Sequence, residues 1–366
     1  MKKIVVSFGT RPEIIKLAPV IHELERSAKF DVVKLHTGQH DELAENMLNL
    51  FKIVPDYDFK SMSSTSDLFE LTEFLLPKLK EFYSAEKPDA VIVQGDTTSS
   101  YLCALAAFYV QIPVYHVEAG LRSFDNYNPF PEELNRKQIS NIASLHFAPT
   151  STAKQHLLNE GIDESRIFET GNTVIDALYQ IKKSDQFHVS RPEFLNSLTT
   201  DQKLILVTAH RRENHGKPLS KIMEALIEIL NADDSRVIVF PAHPNPKVRE
   251  VLNNKNFHHK RLNVIEPLDY LSFHHVLEQS DLVLTDSGGI QEEAAALGKK
   301  MLVLRKTTER QELIENGFTK LVGSDTEKIV TETKSMLSST KKKNTFNPYG
   351  DGNAAKKIVE IIQSRI

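Results

Sequence analysis

"LVLTDSGGIQEEAAALGKKMLVL", residues 282–304, sets two apolar runs on either side of a polar turn and a run of helix formers. Leu282 to Leu284 read as a strand, Thr285-Asp286-Ser287-Gly288-Gly289 as a turn, Ile290 to Leu297 as a helix, and Met301 to Leu304 as the next strand. A strand, a helix and a strand in so few residues make a parallel βαβ unit, with strands buried on both faces. Glycines between strand and helix leave bare amides at a helix N-terminus, where the dipole favours an anion. A tight turn needed only for packing is the competing reading.

The same alternation runs outward in both directions. "KIVVSF", "DVVKLHT", "DAVIVQG", "PVYHVEA" and "SLHFAPT" are strand-like runs separated by helical patterns, ending near residue 150. "KLILVTA", "RVIVFPA", "LNVIEP", "DLVLTD" and "KMLVLRK" form a second series. Two series predict an α/β protein of two doubly wound, Rossmann-like halves, with their strand-end rims facing across a cleft. The expected boundaries are 1–175 for the first half, 176–202 for a polar linker and 203–352 for the second half. A final helix over 353–366 follows the "NPYGDGN" turn and could dock on either half.

Composition narrows the function. With 366 residues, the chain has material for about two domains. A net charge of −4 gives no reason to expect nucleic acid or an anionic membrane as partner. No apolar run approaches the roughly 20 residues of a membrane span. "MKKIVVSFGT" reads as a first strand rather than a leader, so a cytoplasmic protein is expected. The single cysteine, Cys103, lies on an apolar helix; it cannot form a disulfide within the chain and reads as a buried thiol.

Ligands of doubly wound sheets gather at the carboxyl ends of the strands. The polar residues there are Arg11, Gln39-His40, Asp96, Glu118, His210-Arg211-Arg212, His243, Glu266 and Asp286-Ser287. Near the opening stretch, Glu292 and Glu293 are placed on the first helical turn, where a carboxylate could take two ribose hydroxyls. Arg305, Lys306 and Arg310 follow the next strand and could meet a diphosphate, arginine by its planar fork of donors. Solvated surface charge is the alternative for each.

The first half is richer in acids. "GTRPEIIK" places Arg11 in a turn and Lys16 one helical turn on. Asp96 follows a strand in "VQGDTTS", where it could also cap the next helix. In "HVEAGLRSFDNYNPFPEELNR", Glu118 follows a strand directly. Pro129 and Pro131 suggest an extended approach to a helix that opens with Glu132, Glu133 and Arg136. Crowded carboxylates suit proton transfer near neutral pH. "TAHRREN" adds His210 from the second half. No phosphate-binding P-loop or dinucleotide fingerprint occurs, the absence of a zinc motif gives no metal site to expect, and without a nucleophile elbow nucleophilic hydrolysis is not favoured.

"GTRPEIIK", "QGDTTS", "HVEAGLR", "PFPEELNR", "HRREN", "EPLDYLSFH" and "LTDSGGIQEEAAALG", in that order, closely resemble the bacterial non-hydrolysing UDP-N-acetylglucosamine 2-epimerases. The resemblance runs from the first strand to about residue 323. It implies the two-domain GT-B architecture, a homodimer, no cofactor, and a C-terminal helix returning to the first domain. It also implies interconversion of UDP-GlcNAc and UDP-ManNAc by loss and re-addition of UDP, for cell-surface polysaccharide precursors. By position, Asp96, Glu118, Glu132 and His210 match the family's catalytic groups. Arg11, Lys16 and Arg136 fall near the reacting sugar and phosphate. His243, Ser287, Gly288, Gly289, Glu293 and Arg310 match the UDP-binding set, and Phe273 a residue beside the uracil.

The sequence departs from the family in one region. Many members bind a second, activating UDP-GlcNAc through a stretch that here reads Gln39-His40-Asp41-Glu42-Leu43. Gln39 and His40 remain, but the acidic pair after them would repel a diphosphate, and Thr65 stands near the place of a usual arginine. Weak or absent activation is expected. The same departure would fit a 2-epimerase of a 6-deoxy or diacetamido UDP-sugar. A GT-B glycosyltransferase, a hydrolysing 2-epimerase and a non-catalytic nucleotide-sugar sensor are the rival readings.

Overall fold

The computed structural model describes residues 1–38, 41–61, 65–315, 317–339 and 347–366. Two compact units emerge, Met1–Gln180 joined by Tyr349–Ile366, and Ile181–Pro348.

The first unit alternates β1 (Lys2–Phe8), α1 (Arg11–Arg26), β2 (Phe30–His36), α2 (Asp41–Leu50), β3 (Tyr57–Asp58), α3 (Leu68–Glu86) and β4 (Ala90–Gln94). It continues through α4 (Thr98–Tyr109), β5 (Val114–Val117), α5 (Glu132–Ile142), β6 (Leu145–Ala148), α6 (Ser151–Asn159), β7 (Ile167–Glu169) and all but the last two residues of α7 (Thr173–Lys182). The sheet is parallel, in the order β3-β2-β1-β4-β5-β6-β7. The chain therefore reverses direction across the sheet between β1 and β4, where doubly wound folds place their ligands.

The second unit holds α8 (Asp185–Val189), β8 (Lys203–Thr208), α9 (Lys217–Ala232), β9 (Arg236–Pro241), α10 (Pro246–Leu252), β10 (Leu262–Ile265) and α11 (Tyr270–Gln279). Then come β11 (Leu282–Thr285), α12 (Gly288–Ala296), β12 (Lys300–Val303), α13 (Glu312–Glu315), β13 (Thr319–Leu321) and α14 (Thr326–Ser338). Its parallel sheet runs β10-β9-β8-β11-β12-β13, with the switch between β8 and β11. The fold class is thus α/β with two doubly wound sheets. The last helix, α15 (Ala354–Arg365), packs on α1 in the first unit.

Burial explains the pattern. Every residue of β4 is buried, which is why "AVIVQ" reads as an unbroken apolar run ending in one polar side chain. Val5, Val91 and Val93 pack with Leu75 and Leu79 of α3 and Leu102 of α4 in one core. In the second unit Ile205 and Val207 join Ile222, Leu226 and Ile229 of α9 and Leu284 of β11 in another.

The structure differs from the sequence reading at several points. Strands β3, β7 and β13 lie at sheet edges and have two or three residues each, too few to show a pattern. Residues 176–202, expected as a linker, carry the rest of α7, then α8 and a 3-10 turn at Glu193–Ser197. Phe187 and Leu195 are buried there and give that polar stretch a hydrophobic seat. Helix α12 begins at Gly288 rather than Ile290, so Glu292 and Glu293 fall in its second turn. The approach to α5 is a succession of turns, with cis bonds at Asn128–Pro129 and Phe130–Pro131, rather than an extended segment.

Candidate active site

In the first unit the turns after β1 and β4 are tied together by Glu13. Its Oε2 accepts from the Gly9 and Thr10 amides at 3.1 and 2.6 Å, and its Oε1 accepts from the Thr97 hydroxyl at 2.9 Å. The Ser100 hydroxyl also donates to Oε1. Arg11 opens α1 on one of these turns, and Asp96 sits on the other. Asp96 does not cap α4. Thr97 does, its hydroxyl accepting from the Ser100 amide, which leaves the Asp96 carboxylate to the Arg136 guanidinium.

Arg136 reaches Asp96 from α5, where Asn135 Nδ2 also donates to the Asp96 carbonyl at 3.0 Å. Glu133 is fully buried beneath them. It accepts from the Ser123 and Phe124 amides at 2.9 and 3.1 Å and lies 3.2 Å from Arg136. Glu132 opens α5, with one buried carboxylate oxygen, Oε2, that has no hydrogen-bond partner among the described residues.

Glu118 follows β5 directly, with φ +63°, the left-handed region that a side chain rarely occupies. Such a conformation costs on the order of 1 kcal/mol and persists only when its surroundings hold it. They do so here. The Lys16 ammonium donates to Oε2, as does Asn172 Nδ2 at 2.8 Å, and Gln94 Nε2 donates to Oε1 at 3.1 Å. Beneath them, His116 is buried; desolvation pushes its pKa down to about 4, so its neutral ring donates from Nε2 to the Gly95 carbonyl at 2.7 Å. The expected crowd of acids is therefore an ordered set, with a cation on Asp96 and another on Glu118.

In the second unit the switch point again binds two strand ends together. Asp286, after β11, is fully buried and accepts from the amides of His210 and Arg211, both at 2.8 Å, and from Asn214 Nδ2 at 2.9 Å. The His210 ring stacks on His243, centroids 5.3 Å apart. Burial pushes the His210 pKa down; Asp286 opposes this, and Arg211, His243 and His215 add to it.

Ser287 is the N-cap of α12, and its side chain makes no capping bond. Gly288 lies against Arg310. A Cβ at Gly288 would come within 2.5 to 2.7 Å of that guanidinium, whereas one at Gly289 would meet nothing within 4 Å. Arg310 is held by Glu292, through Nε at 2.9 Å and Nη2 at 2.6 Å, and by Glu309. Glu293 is buried; Tyr270 donates to its Oε1 at 2.9 Å and His274 Nε2 lies 3.3 Å from it. Phe273 is in α11, its ring edge-on to His274.

Some expected rim residues are occupied elsewhere. Arg305 is turned to Glu213 at 2.8 Å and Glu309 at 2.9 Å, and Glu266 is exposed and paired with Arg249. Gln39 and His40 lie outside the described residues. Among the described residues no group of His, Cys, Asp and Glu could hold a metal ion, and no helix is long and apolar enough to cross a membrane. Sequence reading missed Gln94, Asn172 and Glu13 as parts of the site. Asn172 follows the unrecognised β7, and Gln94 reveals itself only through Glu118, distant in the chain. Glu13 has a local signal, the Thr10-x-x-Glu13 capping box at the start of α1, but its link to Thr97 is distant.

Known proteins are similar to this chain over nearly its whole length. The family model of UDP-N-acetylglucosamine 2-epimerase matches residues 22–363. The UDP-N-acetylglucosamine 2-epimerase of Salmonella typhimurium is 45% identical over 370 residues, covering 99% of this chain and 98% of that protein. The Bacillus subtilis enzyme of that name is 45% identical over 362 residues, 98% of this chain and 94% of its own. The structure of the Neisseria meningitidis UDP-GlcNAc 2-epimerase bound to UDP-GlcNAc superimposes with a TM-score of 0.90 at 40% identity, covering 99% of this chain and 100% of that one. With two doubly wound sheets, a held carboxylate set on one and a glycine–arginine helix terminus on the other, the chain belongs to the UDP-N-acetylglucosamine 2-epimerase family.

Proposed function

We propose that this 2-epimerase interconverts UDP-GlcNAc and UDP-ManNAc without net hydrolysis, by elimination and re-addition of UDP. The C2 proton of the sugar is barely acidic, so its removal needs the C1–O bond to break with it. The pair from the C2–H bond forms the C1=C2 double bond of 2-acetamidoglucal, and the pair from the C1–O bond leaves with UDP. Return of the proton to the opposite face and re-addition of UDP at C1 gives the epimer. Water kept away from the glycal prevents its loss to free sugar.

In this reading Asp96, Glu118 and Glu132 handle the C2 proton, and Arg11, Lys16 and Arg136 neutralise and orient them and the reacting end of the substrate. UDP is taken by the Ser287-Gly288-Gly289 amides and Arg310 at the phosphates, by Glu293 at the ribose, by Phe273 beside the uracil and by His243. His210 meets the diphosphate as it departs. The observation that carries the reading is Glu118, kept in a left-handed conformation by Lys16, Asn172 and Gln94 directly off its strand. Supply of N-acetylmannosamine units to surface polysaccharide, a cytoplasmic location and a homodimer go with the same proposal. So does weak activation by a second UDP-GlcNAc, since Asp41 and Glu42 follow Gln39-His40 in sequence.

Proton NMR of the protein with UDP-GlcNAc in heavy water tests it. The expected outcome is UDP-ManNAc, with deuterium at C2 of both sugars. Free ManNAc and UDP would make it a hydrolysing enzyme. Unlabelled UDP-GlcNAc would move the substrate to a 6-deoxy or diacetamido UDP-sugar, tried in the same assay.

A further inference from the structure

A buried acid faces an imidazole at the switch point of the second sheet. Asp286 uses one oxygen, Oδ2, for three donors on the turn after β8: the amides of His210 and Arg211 and the side chain of Asn214. That alone would anchor the turn. The other oxygen, Oδ1, is buried, takes no hydrogen bond among the described residues, and lies 3.3 Å from His210 Nδ1. A carboxylate oxygen sealed from water and left without a donor is costly. The His210 ring beside it can supply a proton. The His210 side chain itself is partly open, keeping 33% of its exposure.

We infer that Asp286 is a positioning residue that acts through His210, holding the ring proton on Nδ1 and giving the imidazolium its counter-charge while Nε2 faces the departing diphosphate. The inference rests on the proposed role of His210. Its logic follows from the charges around the ring. Arg211 and His215 belong to the same turn, His243 comes from the end of β9, and all three disfavour an imidazolium, as burial does. Asp286, from the end of β11, is the group that favours it. When UDP leaves, its diphosphate gains a negative charge, so a protonated His210 is most valuable in the transition state. Asp286 would therefore bear on kcat rather than on KM.

Two measurements test this on the full-length protein. In 15N-histidine NMR at alkaline pH, with the His210 signal identified by its loss in H210Q, the wild type should show the Nδ1-protonated tautomer. A proton on Nε2 instead overturns the inference, and this arm needs no variant of Asp286 and no turnover. In kinetics, D286N should lower kcat about 100-fold, leave KM within about threefold, and move the alkaline limb of kcat to lower pH. In an H210N background the same change should add little. A D286N that raises KM with an unmoved pH profile, or that costs as much in H210N as in wild type, would mean that Asp286 merely anchors the turn. Should the wild type fail to epimerise UDP-GlcNAc, the functional proposal falls, while the tautomer still decides the relation between the two residues.

Discussion

Asn172 Nδ2 donates to Glu118 Oε2 at 2.8 Å, and the amide cannot turn away, because its Oδ1 accepts from the Val174 amide at 3.1 Å. The turn carrying Asn172 is itself fixed, its backbone N–H donating to the Tyr349 carbonyl at 2.8 Å. Glu118 thus depends on an oriented donor as well as on Lys16. Hydrogen bonds to a charged group contribute about 1.5–3 kcal/mol. Asn172→Ala should lower kcat about tenfold or more with the protein still folded. Asn172→Asp, which sets a like charge against Glu118, should lower it further. Initial rates of C2 deuteration measure both, and an Asp variant as active as wild type would contradict the assignment.

Tyr270 and Glu293 form a second held pair. The Tyr270 hydroxyl donates to Glu293 Oε1, and His274 approaches the same oxygen, so the carboxylate is held in a fixed orientation. If Glu293 takes the ribose, loss of the hydroxyl loosens a contact made equally in ground and transition states. Tyr270→Phe should then raise KM about 3- to 10-fold and leave kcat nearly unchanged. Steady-state kinetics over a range of UDP-GlcNAc concentrations separates the two parameters. A fall in kcat at unchanged KM would place Glu293 with the reacting groups instead.

The strand-end position of much of this candidate site is legible in the sequence, and the reason is topological. Asp96, Glu118, His210 and Ser287 stand just past apolar runs, and in a doubly wound sheet the strand ends are where ligands gather. Their partners were not legible. Lys16 and Glu118 are 102 residues apart and His210 and Asp286 are 76 apart; nothing in either local stretch names the other. The strand before Asn172 is the three-residue "IFE", which offers no alternation to detect. Helix α12 starts earlier than the sequence predicts because glycine pairs usually mark loops, whereas here they form the first turn, against Arg310.

The two glycines of that turn should respond differently to a methyl group. At Gly288 a Cβ would overlap the Arg310 guanidinium, which Glu292 and Glu309 hold in place. Gly288→Ala should displace Arg310, lowering Tm by several degrees and raising KM at least tenfold. At Gly289 nothing lies within 4 Å, so Gly289→Ala should leave Tm within about a degree. If a phosphate approaches that backbone, it should still weaken UDP binding. Calorimetric unfolding and titration with UDP check each variant. Equal Tm losses would show that Arg310 does not fill the space beside Gly288 alone.

The first helix turn of α15 rests on a carboxylate from elsewhere in the chain, and this makes stability depend on pH. Asp176 accepts from the Ala355 and Ala354 amides at 2.9 and 3.2 Å, while Asn353, the residue in the capping position, makes no side-chain cap. Those amides are orphan donors and the helix dipole favours the anion. Burial nevertheless wins, with help from Asp351, and raises the Asp176 pKa from 3.8 to about 6. The sign follows from linkage. Between about pH 4 and pH 6 the folded state holds a proton that the unfolded state has released, so stability falls as pH rises through that window. Below it both states are protonated and the cost of the buried charge vanishes; above it the cost is complete. Asp176→Asn loses an acceptor oxygen at every pH but carries no charge to bury. The difference in Tm, variant minus wild type, should therefore become steadily more positive from pH 4 to pH 6 and level off above. Calorimetric scans in matched buffers at half-unit steps measure it. A difference that stays flat across the window would show that the Asp176 carboxyl keeps an ordinary pKa in the folded protein.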